Sequence, residues 1–284
     1  MRSRLLLEAT AEDKAAYKKD VNRKFAQIDR VELLALRDGR RSVDDLKNRL
    51  LVRLQDAGPV TVVNIEAVFN PILNDLLYDW AQDLEFKHSH LFQVQALGLG
   101  FDLVDQVLKL LGLVGPARPT LRELQSPGDR LVSGQARGWI YKAVVNSFKD
   151  IKEEARLAIV AGKSLDKVLR GRDLWERVNA RAAQAVRTWQ AEALARATDR
   201  RLEQLAGTIP NLKKQFLTGG ANPCAQCRSF ATRTFSVVGP ERGPRLPLHP
   251  NCNCSYHPFI LGVTPSVTLK PRSGEVEFED QPAS

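Results

Sequence analysis

Trp175, Val178, Ala182, Ala185, Trp189 and Ala193 step along the chain by three or four residues, with arginines and glutamates on the other face. That is the period of an amphipathic helix, predicted from about Asp173 to Leu205 and ending near Gly207. Its alanine-rich stripe permits close helix packing. Upstream, residues 10–57 are dominated by helix formers and contain Gly39 but no proline. Within them Ser42 reads as an N-cap followed by acids, and Gly58-Pro59 as a stop. Residues 60–65, VTVVNI, are β-branched and read as a short strand or a buried helix start. Helical spacing resumes from Ile65 to Phe86, with Pro71 near its start. Ser164 is placed to cap a short helix in KSLDKVLRG.

The most apolar stretch, residues 91–115, is interrupted by Asp102, Asp105 and Lys109, so a membrane span is not expected. Three prolines and two glycines in GPARPTLRELQSPGDRL, residues 115–131, mark a loop or linker. After Pro210 the character changes. FATRTFSVV reads as a strand among turn residues, and the tail TPSVTLKPRSGEVEFEDQPAS reads as extended or disordered. The predicted fold is mainly α: a helical body with one long amphipathic helix, then a small Cys/His-rich β-hairpin module resembling a zinc knuckle. The expected segments are a helical region over 1–115, a second helical region over 116–215, the Cys/His module over 216–262 and the tail over 263–284.

The chain has 284 residues and a formal charge of +9, concentrated in residues 116–215, which carry 20 basic and 11 acidic side chains. Such an excess suits nucleic acid or an acidic protein surface, or a solvated helical face. The Leu triplet in MRSRLLLEATAEDK is too short for a signal-peptide core, so cytosolic synthesis is expected. His88 and His90 read as loop or helix-end residues rather than a site.

All four cysteines lie in CAQCRSFATRTFSVVGPERGPRLPLHPNCNC, residues 224–254. The spacing is Cys224-x2-Cys227, then His249-x2-Cys252-x-Cys254, with His257 three residues on. Two tight turns that each present a pair of N or S donors match the tetrahedral preference of Zn²⁺. Cys224 and Cys227 are the firmest ligands. Two more are expected from His249, Cys252 and Cys254, with His257 last in rank. No HExxH and no H-x-E…P-C-x-x-C pattern is present, so a bound zinc would be structural rather than catalytic. Disulfides, buried reduced thiols, or a Cys nucleophile paired with His249 are the competing readings.

The same residues resemble the C-terminal signature of the phage Mu F-like head morphogenesis proteins, minor head proteins of tailed bacteriophages. The match is carried by Cys224, Cys227, Pro247, His249, Pro250, Asn251, Cys252 and Cys254, preceded by Arg187 and Thr188 on the long helix. Trp189 stands where that family carries an acid, Asn253 where it carries Arg, and GGANP replaces its acidic lead-in. The resemblance covers roughly residues 160–260. It implies a structural, non-enzymatic protein in the virion, in the head interior or at the portal vertex, after assembly in the host cytoplasm. Its implied partners are the portal protein, other phage head proteins and packaged DNA, with no membrane. The alternative is a nucleic-acid-binding protein using a structural zinc knuckle and Arg-rich helices, with Arg228, Arg233, Phe230 and Phe235 placed for phosphate contact and stacking. An enzyme is not expected: P-loop, G-x-S-x-G elbow and paired carboxylates in a Gly-rich setting are all missing.

Overall fold

A computed structural model describes residues 10–82, 89–120, 134–219, 223–264, 266–269 and 276–279. The described residues are mainly helical, with seven helices and a small three-stranded antiparallel sheet near the C-terminus. The helices are α1 (Ala11–Asp56), α2 (Ile65–Gln82), α3 (Ser89–Leu110), α4 (Gly134–Val160), α5 (Leu165–Leu169), α6 (Arg172–Ala206) and α7 (Ala225–Arg228). The strands are β1 (Lys213–Leu217), β2 (Thr234–Ser236), β3 (Ser255–Phe259), β4 (Ser266–Leu269) and β5 (Val276–Glu279). Among the described residues no helix is long and apolar enough to cross a membrane.

The chain forms two compact units, each discontinuous in sequence. One gathers the described residues of 33–91 and 134–187. There the second half of α1 packs with α2, α4, α5 and the first half of α6 through Leu46, Leu50, Phe69, Leu76, Trp80, Ile151, Leu169 and Val178. Trp80 meets Phe148 with ring centroids 6.0 Å apart.

The helix starts follow local chemistry. Thr10 and Asp13 cap α1 reciprocally: the Asp13 amide donates to Thr10 Oγ1, and the Thr10 amide to Asp13 Oδ2. Ser42 is not a cap, as the sequence suggested. It lies buried inside the continuous α1 and accepts a hydrogen bond from Trp80 Nε1 at 3.0 Å. Gly39 lies inside the same helix, where a Cβ would meet Val186 Cγ2 of α6 at 3.4 Å, an ordinary contact. Residues 60–64 form no strand, and of the stretch 60–65 only Ile65 is a buried helix start. Thr61 and Asn64 close a turn by mutual hydrogen bonds and leave Val63 95% exposed, so α2 begins only at Ile65. Ser164 does cap α5, accepting from the Lys167 amide, and α6 buries the predicted stripe of Trp175, Val178, Ala182, Ala185, Trp189 and Ala193.

The other unit gathers the described residues of 1–32, 92–133 and 188–284. In it the first turns of α1, the second half of α6 and α3 support the sheet. Its strand order is β2-β1-β3, with β1 in the centre. Lys214 of β1 lies opposite Phe235 on one side and Pro258 on the other, and Phe216 lies opposite Tyr256. FATRTFSVV supplies only the three-residue β2, while β1 and β3 are strands beyond the expected one. The tail forms the antiparallel pair β4–β5. His88 lies outside the described residues, as does 121–131 of the proposed linker.

Candidate metal centre

The first Cys turn is helical. Cys224 is the N-cap of the one-turn α7, so its sulfur points back over the turn and accepts from the Cys227 amide at 3.4 Å. Its carbonyl accepts from the Arg228 amide at 2.9 Å. This geometry sets both sulfurs on one side of the turn. The second turn, His249-Pro250-Asn251-Cys252, closes through the Cys252 amide to the His249 carbonyl at 3.1 Å. Asn251 takes φ 62°, a left-handed position that Asn tolerates better than most residues. The turn is held on α6, since the Asn251 amide donates to the buried Thr188 Oγ1 at 3.2 Å.

The two turns converge. His249 Nε2 lies 3.2 Å from Cys224 Sγ and 3.1 Å from Cys227 Sγ, and Cys227 Sγ lies 3.9 Å from Cys252 Sγ. Two groups able to hold a metal ion result: Cys224, Cys227 and His249, and Cys227, Cys252 and Cys254. The donor atoms within each group lie within 4.8 Å of one another, and Cys227 belongs to both. All five sequence-predicted residues are therefore brought together. The cysteines are free thiols. A sulfur–sulfur distance of 3.9 Å is far beyond a disulfide bond of about 2.05 Å. His257 lies elsewhere: it is buried on β3 and hydrogen-bonds Tyr17 Oη at 2.9 Å.

The imidazole of His249 is oriented for ligation. Its Nδ1–H donates to the Pro250 carbonyl at 2.8 Å, which leaves the Nε2 lone pair facing the sulfurs. Burial disfavours the charged ring, but the Pro250 carbonyl and the neighbouring Cys252 and Cys224 sulfurs outweigh it and hold its pKa above the ordinary value. The thiols diverge. Cys252 accepts a hydrogen bond from the Cys254 thiol, which brings it down to about 5 against the cost of burial. Cys254 is raised, first by that same bond and then by burial. Burial pushes Cys227 up to about 12, and the amide of Cys227 lowers Cys224 at the exposed rim. Thiol sulfurs and an imidazole nitrogen set this close together are donors suited to a metal ion.

Beneath the turns lies a shared apolar core. Cys227, Cys252 and Cys254 pack with Phe216, Val237, Leu246 and Tyr256 of the module and with Val104, Val107, Leu108, Leu202 and Leu205 of α3 and α6. Tyr256 packs edge-on against Phe216 and Phe235, and the buried Lys214 ammonium sits 4.0 Å above its ring while pairing Asp199 at 2.6 Å.

Three supporting residues were not singled out from the sequence. Glu192, fully buried one turn after Thr188, faces Arg245 of the loop before the second Cys turn at 3.6 Å. An acid on the buried stripe of α6 was the available signal, and Trp189 obscured it. Gly219 packs on Asn253 between the last two cysteines: a Cβ there would lie 2.0 Å from the Asn253 carbonyl oxygen. Its amide also donates to the Cys254 sulfur. Tyr17 pins α1 to β3 across 240 positions, which no local pattern could announce. No family model, no curated protein and no solved structure matches the chain.

Proposed function

We propose that this chain is a minor head protein of a tailed bacteriophage that acts structurally in head morphogenesis at or near the portal vertex, with a structural zinc ion in its Cys/His module. One observation carries the reading. The dispersed residues of the CAQC…LPLHPNCNC signature meet in one cluster, and that cluster is docked on the long helix through Thr188. Such an arrangement braces a small module; His249 Nδ1 is taken by the Pro250 carbonyl, and among the described residues no acid or amide side chain orients it as in a hydrolase. The basic helix is compatible with an acidic portal surface or packaged DNA.

The nucleic-acid reading draws less support. Arg172, Arg177, Arg181, Arg196, Arg200 and Arg201 of α6 are each ion-paired with a carboxylate. Phe230 and Phe235 lean on each other, and Phe235 on Tyr256, rather than standing free for bases. The test is quantitative mass spectrometry of purified particles and empty procapsids from the source. A few copies per particle, recovered with the portal protein, is the expected result. Absence from both particle types, with the protein abundant in the cell, would overturn the reading.

A further inference from the structure

The Cys/His module, residues 216–262, holds four arginines, no lysine and a single acid, Glu241. Arg242 pairs with Glu203 and Arg245 faces Glu192, both on α6. Arg228 and Arg233 are exposed and make no ion pair among the described residues. We propose that the loop bearing them, residues 228–233, is an interaction surface for an acidic protein, whose carboxylates take the two guanidinium groups. The assignment rests on the head-protein reading for the particle in which that partner is met, but not for the binding itself.

The loop has a fixed shape. The Thr232 amide donates to the Phe216 carbonyl at 3.1 Å, and the Phe216 amide to the Arg233 carbonyl at 2.8 Å, so two residues here oppose one of β1. That is a β-bulge of the kind whose first position is left-handed and favours glycine. Here the position is filled by Thr232 at φ 59°, a strained conformation for a β-branched residue. A bulge re-aims the side chain beside it, which is Arg233. Two turns complete the loop: the Ala231 amide donates to the Arg228 carbonyl at 3.1 Å, and the Arg233 amide to the Phe230 carbonyl at 3.0 Å. Phe230 anchors it on Phe216 and Phe235, with ring centroids 5.6 and 6.2 Å away, and the Arg233 guanidinium lies 5.9 Å from its ring centroid. Binding on a loop already held in shape forfeits little backbone freedom. A guanidinium matches a carboxylate through two parallel N–H···O bonds, and no carboxylate of the fold takes that role at Arg228 or Arg233. Nucleic acid fits this surface less well. Its affinity grows with the number of cations that neutralise phosphates, and the loop offers two. Its neighbouring aromatics are stacked on one another.

Binding of the reduced full-length protein to fluorescent poly-L-glutamate and to duplex DNA tests this. The proteins are wild type, the double variant Arg228→Glu/Arg233→Glu, and the control Lys149→Glu/Lys163→Glu. The control reverses two exposed lysines of the other compact unit and changes the net charge equally. The arginine variant is expected to bind poly-L-glutamate about 10-fold more weakly or worse, with an unchanged urea midpoint because both side chains are exposed. The lysine control should change that binding by less than about 2-fold. Equal losses in the two variants, or no loss in the first, would overturn the assignment. So would a loss confined to DNA, which would give the loop to phosphates. Should the arginine variant not fold, Arg228→Gln/Arg233→Gln removes the charges without reversing them, and wild-type binding by that protein overturns the assignment. Failure of wild type to bind poly-L-glutamate would overturn it too, leaving the head-protein reading to the particle measurement. Absence from particles, with the arginine-specific loss intact, would support the surface and remove the head-protein reading alone.

Discussion

His257 and Gly219 show how single residues set the conditions for the module without touching an ion. His257 is buried against Tyr17, and desolvation pushes its imidazole down to about 3 from an ordinary 6.5. The folded protein holds the ring neutral, while the unfolded chain protonates it below pH 6.5. The stability this supplies is complete above that pH and is lost as pH falls from 6.5 toward 3, at about 1.4 kcal/mol per pH unit. His257→Gln keeps a partner for the Tyr17 hydroxyl but cannot titrate. Urea unfolding at pH 7 and pH 5 should show wild type losing about 2 kcal/mol more than the variant, and parallel losses would refute the assignment. Gly219 acts by space alone. Gly219→Ala would drive a methyl into the Asn253 backbone, so the Cys252–Cys254 segment must shift. We expect a loss of about 1–3 kcal/mol in thermal or urea unfolding, and weaker uptake of cobalt(II) when the reduced protein is titrated with it. An unchanged midpoint would mean that the loop yields freely.

Among the elements, α3 and α6 come close together at Gly100 in the unit that carries the cluster. A Cβ at Gly100 would lie 2.7 Å from Ala197 Cβ and 2.9 Å from the Leu194 carbonyl, whereas one at Gly98 would meet nothing within 4 Å. The two glycines should therefore respond with opposite sign. Gly98→Ala gains up to about 1 kcal/mol from helix propensity, and Gly100→Ala loses about 1–3 kcal/mol by prising the helices apart. Equal shifts in the unfolding midpoint would argue against that crossing. The contrast also explains what was legible in the sequence. The stripe of α6, the Ser164 cap and the ligand pairs are local patterns, with partners within one or two turns. Ser42 followed by acids carries the same signal as a cap, and only the position of Trp80 makes it a buried acceptor instead. VTVVNI looks like a strand by its β-branched residues, yet Thr61 and Asn64 satisfy the backbone as a turn. The central strand KKQFL was hidden by its lysines, because Lys214 is buried only through its pairing with Asp199 and Tyr256. β3 is buried at every position and so has no alternation to read.

For the whole molecule, α1 and α6 each contribute to both compact units, so neither unit is a continuous stretch of sequence. All four cysteines belong to one of them, and the side chains of Cys227, Cys252 and Cys254 share a core with α3 and the second half of α6. A structural zinc contributes about 10–16 kcal/mol of apparent binding in small zinc peptides, comparable with the entire stability of a domain, about 5–15 kcal/mol. Removing it should therefore loosen more than the two turns. With chelator and reductant, hydrogen exchange is expected to accelerate across β1, α7, β2 and β3. It should also accelerate in the turns of α3 and α6 that bear Val104, Val107, Leu108, Leu202 and Leu205. In α2 and α4, whose core is built on Trp80, Phe148 and Ile151, protection should hold, as cooperative units can open separately. Along α1 and α6 the change should begin partway down each helix. Uniform acceleration in both units would mean that they unfold as one. No acceleration anywhere would mean that the apolar core holds the module by itself, and that the thiols and His249 are packed there without an ion.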